Sequence, residues 1–304
     1  MAFSLSRNTL AAAATATLGL VYMYRKSSQT QIPDCCPGQS EGFLPQDQSY
    51  KARGTMVDIG GGLNAYVVGS SNKRSVVMFH DIFGMHSGRH TQIADELAAR
   101  GFLVVMPDFF QTQGGGLFGR EAGRMYGNSF GTFMKFMGAL ISGKMKGFQR
   151  EHPWKGCCEA SWGKVASYLE NRGCASIGLL SFCWGAYPAV HAAADGGAAV
   201  GAAVFFHPSF DRTAALFGEN QEELVKSMAA STRVRVYSTG MESKAWKPGG
   251  QAEQWATEAD GEVKWELVGQ THGFMTRGDM RGDLALAKDV QRMLEEAIEW
   301  LKQS

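Results

Sequence analysis

Three residues whose side chains can together attack a carbonyl stand in a telling order along the chain: Cys183, Glu242 and His272, each just past a short apolar run. A thiolate is a strong nucleophile, an imidazole beside it lowers the thiol's pKa, and a carboxylate can orient the imidazole. Nucleophile, acid and histidine in that succession match one of the orders in which such triads occur. Cys183 lies in GLLSFCWGAYPAV (178–190), with Ser181 two residues before it and Gly185 two after. A sharp strand-to-helix turn needs small residues at those places, because a larger Cβ would strike the neighbouring strand or helix. Cys183 would then project at the positive end of a helix dipole, which favours a thiolate. The plain alternative is a packed, inert core thiol. His272, in GQTHGFMTR, sits between Gly269 and Gly273 in what reads as a solvent-facing loop. Glu242 is the only carboxylate in STGMESKAW, and Ser243 could instead occupy the acid's slot.

The elements that must carry these residues are legible. SVVMFH (75–80) and FLVVMP (102–107) are continuous apolar runs, too short for helices and suited to strands buried on both faces. GRHTQIADELAARG between them reads as a crossover helix, stopped by Gly101. Further units follow: helix 159–171, strand 176–180, helix 184–195, strand 199–206, helix 221–230, strand 233–238, helix 251–259, strand 263–268 and a last helix 285–301. The pattern predicts an α/β fold with a mostly parallel sheet. TMVDI-GGG-LNAYVV predicts an antiparallel hairpin ahead of it. Region 111–150 breaks the alternation and reads as an inserted helical segment or cap, its Met and Phe residues serving as core. In such sheets ligands sit at the carboxyl ends of strands, so His80–Asp81, Asp108, Cys183, His207, Glu242 and His272 are the residues to inspect.

A chain of 304 residues with formal charge +1 and 19% charged residues has no global field for nucleic acid or an acidic partner. Its partner is expected to be a small molecule. The six cysteines form no CxxC pair and have no histidines at zinc-finger spacing, so neither a metal nor another cofactor is expected, and the thiols read as reduced. Residues 1–30 contain no acid, and Leu10–Tyr24 is uncharged between Arg7 and Arg25–Lys26. At about 1.5 Å per residue that run covers roughly 22 Å, short of a bilayer core of about 30 Å. It reads as an organelle-targeting peptide, for a mitochondrion or plastid, or as a weak membrane anchor whose contact is confined to residues 10–24; otherwise the chain would be cytoplasmic. Residues 31–53 read as a linker and 54–304 as the folded domain. Oligomeric state leaves no mark on the sequence.

HDIFG (80–84), PDFF (107–110), SFCWG (181–185), HPSF (207–210), WKPGG (246–250) and THGF (271–274) occur in this order. Together they resemble the dienelactone hydrolase family, also called carboxymethylenebutenolidases, and especially its eukaryotic members, over about residues 55–300. The resemblance implies a three-layer α/β-hydrolase fold with a Cys-acid-His triad: Cys183 as nucleophile, His272 as base and Glu242 as the acid. It also implies that the acid after the first parallel strand, usually Glu in the family and here Asp81, holds the resting thiol. The backbone N–H groups of Ile82 and Trp184 would form the oxyanion hole. Arg277 would bind a substrate carboxylate, with Phe83 and His207 as further substrate contacts; Arg120 and Arg124 are options for a second arginine. The sequence departs from many members in having Ser181 and Ala186 where glycine is common, and Glu where the triad acid is often Asp.

The expected activity is therefore hydrolysis of a small activated ester or lactone, carboxylate-bearing and dienelactone-like, through an acyl-thioester. The alternative is a non-catalytic ligand-binding or redox-responsive protein of the same fold.

Overall fold

The computed structural model describes residues 50–303, apart from 71–73, 112–115, 119–137, 140, 196–198, 279 and 281. The targeting or anchor segment 1–30, most of the 31–53 linker, Arg120 and Arg124 lie outside the described residues.

Strands β1 (Thr55–Asp58) and β2 (Asn64–Val68) form the expected hairpin, paired Thr55↔Val67 to Asp58↔Asn64. Its turn is built on three successive glycines, Gly60, Gly61 and Gly62, with φ of 124°, 57° and 78°. Side chains with a Cβ adopt such angles only under strain, which accounts for the GGG run. The remaining strands are β3 (Ser75–Phe79), β4 (Leu103–Pro107), β5 (Ile177–Phe182), β6 (Val200–Phe206), β7 (Arg233–Thr239) and β8 (Val263–Val268). They complete an eight-stranded sheet in the order β1-β2-β4-β3-β5-β6-β7-β8. Pairing is antiparallel for β1–β2 and β2–β4 and parallel from β4 onward.

Period-two alternation divides each buried strand between two cores. Val77, Phe79, Leu179, Ala203 and Phe205 face one side, where they meet α3 (Glu159–Glu170), α4 (Ala186–Ala194), α6 (Gln221–Ala229) and α7 (Gln251–Glu258). Val76, Met78, Leu180, Val204 and Phe206 face the other, under α1 (His90–Ala99) and α9 (Leu284–Leu301). The result is the three-layer arrangement, and it explains why the central strands read as unbroken apolar runs.

Helix α2 (Lys144–Arg150) falls in the region 111–150 read as an inserted helical segment or cap, whereas two short elements were not foreseen: α5 (Phe210–Phe217) and α8 (Phe274–Arg277). At the N-terminal edge, the Asp95 carboxylate on α1 accepts hydrogen bonds from Tyr50 Oη at 2.5 Å, Tyr66 Oη at 2.5 Å and Arg53 N at 2.9 Å. That carboxylate ties the start of the described chain to the domain.

Candidate active site

Because β3, β5, β6, β7 and β8 run parallel, the residues after their carboxyl ends gather at one edge of the sheet. Cys183 follows β5 at the apex of a bend, with φ of 52°, and opens a single tight turn, Cys183–Gly185, that leads into α4. A Cβ on Gly185 would lie 2.4 Å from Phe79 O and 2.7 Å from His80 O, so the bend closes against the end of β3 only with glycine there. Ser181 donates to Val204 O at 3.4 Å, holding the strand before the bend.

The imidazole of His272 hydrogen-bonds Glu242 and lies close enough to the Cys183 thiol for its charge to act on it. Its Nδ1 lies 2.6 Å from Glu242 Oε1, leaving Nε2 for the sulfur. The second Glu242 oxygen accepts from the Thr239 backbone N–H. Glu242, rather than Ser243, thus reaches the ring. Burial alone would raise the Glu242 carboxyl, but the hydrogen bond and charge of His272, then Thr239, hold it below its ordinary value. Burial would likewise raise the Cys183 thiol, yet the adjacent imidazole outweighs it and brings the thiol down. Burial would lower His272; Cys183 and Glu242 reverse this and lift the ring to about 10. The pair is electrostatically set toward thiolate and imidazolium. Cys183 is 8% exposed, and its sulfur also lies 3.7 Å from Ser209 Oγ.

Asp81 stands elsewhere than the sequence suggested. Its Oδ1 accepts from Phe83 N at 2.8 Å and Ser87 Oγ at 3.1 Å; its Oδ2 accepts from Thr276 Oγ1 at 3.2 Å and from Arg277 Nη1. With both oxygens so engaged, it organises the loop after β3. Burial would raise its carboxyl, but the Arg277 charge and then His90 keep it low. Arg277 is accordingly paired within the protein, its guanidinium 4.2 Å over the Phe83 ring, which itself stacks on Phe118 with centroids 5.6 Å apart. His207, expected at the substrate, is wholly buried behind His272. Trp184 follows Cys183 in the turn, and Ile82 lies three residues past the end of β3, whose carbonyl at Phe79 faces Gly185.

Sequence reasoning missed several residues of this site. Arg89, at the start of α1, is buried and donates to Gly278 O at 2.5 Å, Phe274 O at 2.8 Å and Met275 O at 2.9 Å, gripping the carbonyl end of α8. Met241 Sδ accepts from His272 N at 3.5 Å. Ser209, Thr276 and Met241 each lie inside a stretch quoted for a neighbouring residue, HPSF, GQTHGFMTR and STGMESKAW, which is the only signal they gave.

The model of the dienelactone hydrolase family matches residues 63–304. An uncharacterized AIM2 family protein of Schizosaccharomyces pombe is 43% identical over 81 residues, 26% of this chain and 32% of that protein. An endo-1,3;1,4-beta-D-glucanase of Zea mays is 42% identical over 74 residues, 22% of this chain and 24% of that one. The matched stretches thus span about a third or less of these curated relatives. Among solved structures, a protein of Klebsiella pneumoniae subsp. pneumoniae assigned as a dienelactone hydrolase aligns with a TM-score of 0.52 at 19% identity, covering 83% of this chain and 98% of that one. That likeness is one of fold, the α/β-hydrolase arrangement.

Proposed function

The chain belongs to the dienelactone hydrolase family, a family of ester and lactone hydrolases, and from that premise we propose that it hydrolyses a small activated ester or lactone through the thiolate of Cys183. The observations that carry this reading are the 2.6 Å contact of His272 with Glu242 and the pull of the His272 charge on the Cys183 thiol, which stands at a bend of positive φ. The thiolate attacks the carbonyl carbon, and the backbone N–H groups of Ile82 and Trp184 receive the oxyanion. His272, as imidazolium, gives its proton to the leaving oxygen, and the neutral ring then takes one from the water that cleaves the acyl-thioester.

Thiolate leaves more readily than an amine, so an amide adduct would fall back to substrate, whereas an enolate or phenolate departs. Arg277 favours a substrate carboxylate near the scissile bond, which would share the guanidinium with Asp81, while Phe83 offers an apolar wall.

The test is hydrolysis of p-nitrophenyl acetate and of a dienelactone by wild type and Cys183→Ala. Activity falling to background in the variant is the expected result. Full activity in the variant overturns the reading, as does rapid iodoacetamide labelling of Cys183 in a wild type that turns over no ester.

A further inference from the structure

His207 ends β6 in a conformation few residues accept, with φ of 40°, and its ring is completely buried. Neither ring nitrogen hydrogen-bonds another residue. A buried imidazole with both nitrogens unpaired in a strained backbone is costly to keep, and such sites mark function more often than packing. The ring lies edge to face with His272, centroids 4.8 Å apart at 61°, and it is flanked by Phe274 at 5.5 Å and Phe182 at 6.3 Å. It therefore packs directly against the imidazole whose Nδ1 meets Glu242.

We propose that His207 is a positioning residue for His272: an uncharged aromatic ring that fixes the plane of the imidazole and stabilises its positive charge. The proposal rests on the reading of His272 as the base of the hydrolysis. An arene or neutral imidazole beside a desolvated cation attracts it, whereas a second cation would repel it. His207 is suited to the neutral role because burial, and then the charges of His272 and Arg277, hold its own protonation well below the ordinary range, with His90 acting in the same direction. The other groups acting on His272 are the Cys183 thiol from the bend and Glu242 from the loop after β7. Removing the neutral ring leaves the His272–Glu242 bond in place but makes the imidazolium easier to deprotonate.

The experiment is a pH titration of the His272 ring by 15N NMR, together with kcat/KM against pH, for wild type, His207→Leu and His207→Phe. His207→Leu is expected to move the His272 titration and the alkaline limb of the rate profile down by about 0.5 to 1.5 pH units, with KM within about twofold. His207→Phe, which keeps an aromatic face, is expected to hold both at or above the wild-type position. A leucine variant that titrates as wild type does, or a phenylalanine variant that falls with it, overturns the proposal. Should the leucine chain not fold, His207→Met gives the same readout. Because the NMR titration needs no turnover, an inactive wild type would sink the hydrolase reading while still deciding this one.

Discussion

At the scale of single residues, the short Nδ1–Oε1 contact fixes which nitrogen of His272 carries a proton when the ring is neutral, and so leaves Nε2 as the acceptor. Glu242→Gln can hydrogen-bond the ring but carries no charge to support imidazolium. We expect kcat to fall by about 10²–10⁴ with KM little changed, measured on an ester series. Unchanged turnover would remove Glu242 from the triad. Cys183, Glu242 and His272 were legible beforehand because each follows its own apolar run, a local signal. The true engagement of Asp81 was not, because its partners Thr276 and Arg277 lie 195 and 196 residues away, and no local pattern encodes a pairing of that span. The same holds for His207, whose strand-end position was visible but whose depth depends on how the His272 loop folds over it.

At the scale of elements, the nucleophile's presentation depends on how closely β5 and α4 pass the end of β3. Gly185→Ala places a methyl 2.4 Å from Phe79 O, a backbone atom with no freedom to yield. We expect a destabilisation of about 1–3 kcal/mol in urea melts and a slower alkylation of Cys183 in the folded protein, since the bend must open to admit the methyl. An alanine variant as stable and as reactive as wild type would show that the close approach is relaxed in solution. The strands were easy to read from sequence because burial on both faces leaves an unbroken apolar run. Helix α5 was not, although Phe210, Thr213, Ala214 and Phe217 have helical spacing; the Pro208–Ser209 pair just ahead of it reads as loop. Helix α8 is a single turn, too short to show a period, and is held by Arg89 from another part of the chain.

At the scale of the whole molecule, the polar residues sealed beneath the site tie fold stability to pH. Burial presses His90 down to about 4, against the pull of Asp81, and His207 lower than its ordinary value as well. Both rings have folded-state values below the roughly 6.5 of an unfolded histidine, so the unfolded chain binds more protons through that interval. The stability these two rings contribute is therefore full above about pH 6.5 and declines as pH falls toward 4. Asp81, also depressed, adds its own loss below about pH 4 as its pairing with Arg277 is titrated away. Differential scanning calorimetry from pH 8 to pH 3 should show a melting temperature that begins to drop below about 6.5, and a flat profile down to pH 4 would contradict the burial of both rings. Arg89 bears on how the molecule comes into being. Its grip on the carbonyls of Phe274, Met275 and Gly278 bridges more than 180 positions, so the loop that carries His272 cannot be anchored until Gly278 has left the ribosome. A nascent chain that has exposed Cys183 but not yet Gly278 would lack these anchors for the His272 loop, so a thiol already in place would still wait on contacts from far downstream.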